Sequence, residues 1–421
     1  MKQATTNRAT RLLLVVVGFL AILLTPSNAV YSNAPRHALS LSISRSTSPS
    51  HADLASLIRR SGYDVQQHFA ETDDGFVLGL FRILRGSSEE APRPVILQHG
   101  LLDSGATWVL NGRERSLGFI LADRGFDVWL ANSRGSTYSR NHTGFSTESK
   151  TFWDFTLDDM AQYDLPATVE YVRRHSVPGG HEPVPVGVVA HSQGGAIALA
   201  SLASGALRPD HVSALVTLAP AVYLKYISSV PLQFLADLHV DELFKKLGER
   251  EFLPSRVETS DLFGEFCSVA PEQCASILTA ICGFNEQNVD TSRLPTYLAY
   301  APSGTSVKNM AHWAQRVRAA ERKEQDGFSF RRYGDGDEYD LTDIRVPVSV
   351  IYGVEDKLAD PVDIRHLIDT LGDAVVFEKG LLGYEHIDFT WSTNAFTDVY
   401  PQVVRVLDVE ARLVAHEPVH R

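Results

Sequence analysis

The chain has only three cysteines, Cys267, Cys274 and Cys282. They are too few and too close together to staple a fold of 421 residues, which must therefore be held by an ordinary hydrophobic core. It also lacks basic excess: 39 Lys and Arg stand against 51 Asp and Glu, a formal net charge of −12. That balance excludes nucleic acid, whose phosphates need cationic partners, and electrostatic docking on anionic membranes. A lipid partner would have to be held by apolar contact. After Leu24 there is no apolar run approaching the roughly 20 residues that span a bilayer. Metal-ligand spacings and phosphate-cradling glycine motifs are missing too, so neither a metal nor a cofactor is expected. No internal repeat is visible.

What is there begins with a leader. Lys2, Arg8 and Arg11 precede an apolar run from Leu12 to Leu24, followed by Thr25-Pro26-Ser27-Asn28-Ala29. A run of about 13 apolar residues suits a signal-peptide core and is short for a span. Ser27 and Ala29 offer the small-x-small pattern of cleavage after Ala29, so residues 1–29 read as a signal peptide, with an uncleaved anchor as the duller alternative. The destination is the exterior, or the lumen of a lysosome or vacuole. Residues 30–52 read as a flexible linker, Ser-rich with Thr and Pro from position 38 to 51.

Secretion gives the cysteines meaning. Cys274 and Cys282 lie on a segment with helical periodicity, where eight residues at about 1.5 Å each separate them by roughly 12 Å. A disulfide needs Cα atoms within about 7 Å. Cys267 is then one partner of a single disulfide, with Cys274 the nearer candidate, and one cysteine is left over; three reduced, buried thiols are the alternative. The single sequon Asn141-His142-Thr143 makes Asn141 a candidate for glycosylation.

From Asp53 onward short β-branched runs alternate with helical stretches. Strands are expected over Pro94–Gln98, Phe126–Ala131, Val184–Ala190 and Ala214–Leu218, with helices over Asp158–Arg174 and Ala196–Ser204. This alternation predicts an α/β fold with a mostly parallel sheet covered by helices on both faces. From about 221 to 341 it stops: apolar stripes at helical spacing, such as Cys274, Ile277, Leu278 and Ile281, come with no convincing strand. Strand-like sequence resumes at Val346–Tyr352 and Ala374–Phe377. A core over 53–220 and 342–415 is therefore expected, with a helical cap at 221–341 over the carboxyl edge of the sheet, where ligands bind in this architecture.

The strongest chemical signal is Ala190-His191-Ser192-Gln193-Gly194, where a strand runs into a helix. A serine hydroxyl is a weak nucleophile until a neighbouring base takes its proton. A sharp strand-to-helix turn presents it above the sheet, and Gly194 and Gly195 suit the close packing behind it. Glycine is usual in the first position of this pattern, and Ala190 adds one methyl. The alternative is an ordinary Gly-rich junction. Where such a serine is catalytic, an acid and then a histidine follow it along the chain. The run Pro347–Tyr352 leads into Gly353-Val354-Glu355-Asp356, which makes Asp356 the candidate acid, with Asp360 and Asp363 as rivals. After the last strand His386 is the candidate base, chosen from 15 histidines by its position. Asp356 would orient the imidazole, and His386 would accept the Ser192 proton and pass it to the leaving alcohol. The backbone N–H of Gln193 and that of Leu101, in His99-Gly100-Leu101-Leu102, are candidate oxyanion donors. His99 itself reads as structural.

With these stretches in view, the chain resembles the acid lipases, the group of α/β-hydrolases containing the gastric and lysosomal acid lipases. The likeness rests on Leu97-Gln98-His99-Gly100-Leu101-Leu102-Asp103-Ser104, Asp127-Val128-Trp129-Leu130-Ala131-Asn132-Ser133-Arg134-Gly135, Tyr163-Asp164-Leu165-Pro166-Ala167-Thr168 and His191-Ser192-Gln193-Gly194. It continues through Ile281-Cys282-Gly283-Phe284, Gly304-Thr305-Ser306-Val307-Lys308-Asn309 with His312-Trp313, and Leu358-Ala359-Asp360-Pro361, in consistent order from about 53 to 405. The resemblance implies Ser192, Asp356 and His386 as the triad, Leu101 and Gln193 as oxyanion donors, a movable lid around 250–285, and a Cys267–Cys274 disulfide with Cys282 free. Ala190, Gly195 and the short Cys267–Cys274 spacing depart from the family pattern, and the last bears on the pairing alone.

Three functions follow in order of fit. The first is a secreted lipase that cleaves triacylglycerol or steryl esters through an acyl-enzyme at an oil–water or membrane interface. The second is a carboxylesterase for small soluble esters under a fixed cap. The third is a catalytically inactive binding protein on a hydrolase scaffold, which would normally show a broken triad. A carboxylate would stand at Ser192 in a dehalogenase.

Overall fold

The computed structural model describes residues 53–84, 93–177, 182–229, 250–253, 274–275, 278–279, 283–321 and 328–416. The expected leader and linker, Cys267, Ile277, Ile281, Cys282 and most of the expected lid lie outside the described residues.

Helix α1 (Leu54–Arg60) starts on Asp53, whose carboxylate accepts from the Ala55 N–H. It leads into an antiparallel pair, β1 (Val65–Glu71) and β2 (Phe76–Ile83). No strand is expected from the sequence before Pro94. β1 lies at the sheet edge and exposes Gln66 and Gln67 side by side, which breaks the two-residue alternation that would announce it. Then follow β3 (Pro94–Gln98), α2 (Leu117–Asp123), β4 (Asp127–Leu130), the short β5 (Asn141–His142), α3 (Leu165–His175), β6 (Val186–His191), α4 (Gln193–Ala203) and β7 (Val212–Leu218). A π-helical turn, Met160–Asp164, feeds α3. After a long excursion come β10 (Val348–Gly353), α7 (Pro361–Leu371), β11 (Val375–Leu381) and α8 (Tyr400–His416).

Among the described residues the main sheet has nine strands, ordered β1-β2-β4-β3-β6-β7-β10-β11, with β5 paired to β2. Every pairing from β4 to β11 is parallel. Parallel strands are covered on both faces, so β3 and β6 bury every residue and read as unbroken apolar runs. Each such Val, Ile or Leu withdrawn from water contributes about 1.5–3 kcal/mol. The far edge, β11, alternates instead and exposes Val376, and its Glu378 pairs with Arg365 of α7.

Arg134 carries a charge into this interior. Its Nε lies 2.7 Å from Asp164 Oδ1, its Nη1 lies 2.7 Å from Asp74 Oδ2, and its own N–H donates to Asp164. The guanidinium also rests 4.0 Å over the Phe76 ring. Losing both carboxylates would strand a buried cation at a cost of about 3–5 kcal/mol, and losing one would remove part of that compensation. The Asn132–Gly135 and Tyr163–Asp164 stretches therefore belong together physically.

The excursion between β7 and β10 contains β8 (Glu251–Phe252), α5 (Leu294–Leu298), β9 (Thr305–Ser306) and α6 (Val307–Glu321). The expectation of no strand here is corrected at one place: β8 and β9 pair antiparallel, Glu251 opposite Ser306 and Phe252 opposite Thr305. Two residues per strand are too few for alternation to show. The excursion also has apolar clusters distinct from the main core. Phe284, Val289, Leu294 and Tyr297 gather with Leu110 and Trp391, while Ala221, Leu224 and Ile227 meet Val317 of α6. Among the described residues no helix is long and apolar enough to cross a membrane.

Candidate active site

β6 ends at His191 and α4 begins at Gln193, which leaves Ser192 alone to turn the chain. Its φ of 53° and ψ of −121° lie in a region costing an L-residue about 1–3 kcal/mol. The turn is tight because α4 packs straight back against its surroundings. A Cβ on Gly194 would sit 2.6 Å from the His99 carbonyl oxygen, and one on Gly195 2.9 Å from Cβ of Pro220. Ala190, by contrast, lies inside β6, where its methyl is buried in the core.

His386 follows β11, and its Nε2 lies 2.7 Å from Ser192 Oγ. Its Nδ1 lies 2.8 Å from Asp356 Oδ2. Asp356 stands just past β10, and its other oxygen accepts the N–H groups of Leu358 at 2.8 Å and Ala359 at 2.9 Å. An acceptor-only carboxylate takes a proton from Nδ1–H, so Nε2 presents its lone pair to the Ser192 hydroxyl. Burial pushes the Asp356 carboxyl up, but the charge and hydrogen bond of His386, with the two N–H groups, outweigh it and hold the pKa below its ordinary value. All three residues are at most 5% exposed.

The rivals stand elsewhere. Asp360 caps α7 through the Val362 N–H, and Asp363 accepts the Tyr226 N–H. Neither bonds to His386. His99 is buried and donates from Nδ1 to the Gly100 carbonyl while Nε2 accepts the Ser133 N–H. Burial lowers its pKa to about 4, so it is a neutral strut between two loops. Among the described residues, the backbone N–H groups of Leu101 and Gln193 bond to no protein acceptor. Cys274 is disulfide-bonded, and both other cysteines lie outside the described residues. Asn141, first residue of β5, is exposed.

Several supporting groups escaped the sequence reading. His191 donates from Nε2 to the His386 carbonyl, 2.9 Å away. Lys357 ties to Glu385 at 2.9 Å, joining the loops that carry Asp356 and His386. Asp388, two residues past His386, accepts from the backbone N–H of Glu385 at 2.8 Å, from that of Asn285, and from Asn288 Nδ2. Ile387 N–H in turn donates to the Gly283 carbonyl. The segment after Cys282 thus clasps the histidine loop.

That clasp has a pH consequence. Burial pushes Asp388 up to about 7, against the pull of its N–H donors. An unfolded aspartate titrates near 4, so between those values the folded chain keeps a proton that the unfolded chain has released. The resulting stabilisation is full at low pH and is lost as pH rises through about 7. Asp103, also raised to about 7 by burial, acts in the same sense. Buried His99, His191 and His312, lowered to about 4, 3 and 4, act oppositely, but only below the ordinary imidazole value near 6.5. Tm by calorimetry is therefore expected to fall between pH 6.5 and 8, and Asp388→Asn to flatten that fall. A wild-type Tm climbing across this window would contradict the account.

A parallel sheet with a serine on a strained elbow, a histidine against its hydroxyl and a carboxylate behind the ring define a carboxylic ester hydrolase of the α/β-hydrolase fold. A family model described as "alpha/beta hydrolase fold" matches residues 93–393, and one described as "Partial alpha/beta-hydrolase lipase region" matches 54–112. Gastric triacylglycerol lipase of Rattus norvegicus is 36% identical over 374 residues, covering 84% of this chain and 91% of that one. Lysosomal acid lipase/cholesteryl ester hydrolase of Homo sapiens is 35% identical over 368 residues, covering 84% and 90%. A soluble variant of monoglyceride lipase from Saccharomyces cerevisiae superimposes with a TM-score of 0.53 at 16% identity, over 83% of this chain and 98% of that one, a likeness of fold. The chain belongs to the acid lipase family of α/β-hydrolases.

Proposed function

We propose that this protein is a secreted lipase that hydrolyses triacylglycerol or steryl esters through an acyl-enzyme on Ser192. The observation that carries the reading is the unbroken hydrogen-bonded line from Ser192 Oγ through His386 to Asp356. As Oγ bonds to the ester carbonyl carbon, its proton passes to His386 Nε2, and Asp356 stabilises the imidazolium. The carbonyl oxygen becomes an oxyanion facing the N–H groups of Leu101 and Gln193, each supplying on the order of 10²–10³ in rate. Collapse expels the alcohol, which takes the proton from His386. Water then enters by the same route, releasing the fatty acid and restoring the serine.

Neutral lipid fits this site for two reasons. The relatives named above carry triacylglycerol and cholesteryl ester in their names, and the nucleophile is only 5% exposed. That burial suits a site reached beneath a cap over 221–341 with a lid around 250–285. A Cys267–Cys274 disulfide within that cap, with Cys282 free, suits an oxidising lumen, as does glycosylation at Asn141, whose exposed edge position leaves it accessible.

The test combines a fluorophosphonate probe with a substrate panel of emulsified triacylglycerol, emulsified steryl ester and a short soluble ester. Labelling at Ser192, with rates that step up once substrate passes its solubility limit, is the expected outcome. Rates that saturate below that limit and gain nothing from emulsion would make the protein a carboxylesterase for soluble esters. Absence of labelling would make it a binding protein.

A further inference from the structure

The side chain of Gln193 has no role in the chemistry above, where only its backbone N–H serves, yet it is buried and every polar atom on it is engaged. Its Nε2 lies 3.8 Å from Met160 Sδ. Its Oε1 accepts twice from helix α6, from Asn309 Nδ2 at 3.0 Å and from Trp313 Nε1 at 2.5 Å. A carbonyl oxygen has two lone pairs, so the excursion between β7 and β10 saturates this one.

The donors are themselves fixed. The second hydrogen of Asn309 Nδ2 goes to Thr305 Oγ1 at 3.1 Å, and the Asn309 backbone N–H goes to Ser306 Oγ at 2.8 Å. One turn beyond Trp313, Arg316 packs 4.7 Å from the indole and donates to the Ala221 and Val222 carbonyls beside the elbow. The same stretch reaches the other donor loop, because Ser303 N–H bonds the Leu102 carbonyl at 2.8 Å.

The peptide joining Ser192 to Gln193 shows why this matters. Its carbonyl side is held by the N–H groups of Gly195, Ala196 and Ala221. Its N–H side, at the first position of a helix, has no intrahelical partner and must stay unbonded to receive the oxyanion. The Gln193 side chain is then the remaining means of holding that end of the peptide.

We propose that Asn309 and Trp313 are positioning residues that aim the Gln193 N–H at the oxyanion by clamping the Gln193 side chain. The proposal rests on the catalytic reading of Ser192 and Gln193. It also gives the polar residues Asn309 and Trp313 on the inner face of α6 a purpose other than packing: an apolar face would fill the same space without fixing the elbow.

The test uses full-length wild type, Trp313→Phe, Gln193→Met and the double variant on a short soluble ester below its solubility limit. Rates are expressed per site labelled to completion by a fluorophosphonate, so unfolded molecules drop out. Because an intact donor supplies on the order of 10²–10³ and here is misaimed rather than removed, kcat for Trp313→Phe is expected to fall about tenfold with KM within about twofold. A trifluoromethyl ketone, which adds Ser192 Oγ at its carbonyl to form the oxyanion, should lose affinity by the same factor. In the Gln193→Met background Trp313→Phe should add nothing further. A kcat within twofold of wild type, a loss confined to KM with ketone affinity unchanged, or full additivity in the double variant would overturn the proposal. If Trp313→Phe yields no labelled sites, Asn309→Ala measured in the same way decides. Failure of wild type to label at Ser192 would instead sink the catalytic reading itself.

Discussion

Replacing Ser192 by alanine is expected to lower kcat for ester hydrolysis by about 10⁶ while leaving the protein folded. Among the described residues no other side chain bonded in this line is free to serve as the nucleophile: His386 Nε2 faces the Ser192 hydroxyl, and Asp356 is occupied by His386, Leu358 and Ala359. Alanine meets the same backbone strain as serine at φ 53°, so little beyond one hydrogen bond, about 1 kcal/mol, is lost from stability. Purified protein assayed on emulsified triacylglycerol, with Tm measured alongside, checks both parts. A variant that keeps a few per cent of wild-type activity in the absence of contaminating enzyme would mean that the reaction bypasses this oxygen.

Asp356→Asn is expected to lower kcat by about 10⁴, the scale set by a wrong imidazole tautomer. The local bonding dictates this direction. Asp356 Oδ1 receives two backbone N–H groups, from Leu358 and Ala359. An asparagine would therefore place its oxygen there and turn its NH₂ toward His386. Facing a donor, Nδ1 would give up its hydrogen, Nε2 would carry it, and Nε2–H would point at Ser192 with no lone pair to accept the hydroxyl proton. Asp360→Asn, which alters only the cap of α7, should stay within a few-fold of wild type. Steady-state kinetics of the two variants side by side discriminate the carboxylates: equal losses, or a larger loss at Asp360, would reassign the acid.

Legibility in the sequence followed locality. β3, β6 and β7 could be read because burial on both faces leaves short, largely apolar runs, and Ser192 because strand, turn and helix succeed one another without interruption. β1 could not, since an edge strand with Gln66 and Gln67 in solvent carries little pattern. β8 and β9 are too short to carry any. The helix expected over Asp158–Arg174 exists, but its first part opens into the π-turn Met160–Asp164, where Met160 meets Gln193 and Asp164 meets Arg134. Tertiary contacts override helical propensity there.

By itself the sequence determined a helix-covered parallel sheet, a serine on an elbow, and candidate acid and base after a long insertion, because each depends on residues adjacent in the chain. The tertiary structure alone decided which carboxylate stands behind His386, and that Asp388, Asn285, Asn309 and Trp313 bond to the loop of His386 and to Gln193. Those bonds join segments up to 120 positions apart, as from Gln193 to Trp313. A single polar contact across such a distance imposes no periodicity on either segment, so only the folded backbone could reveal it.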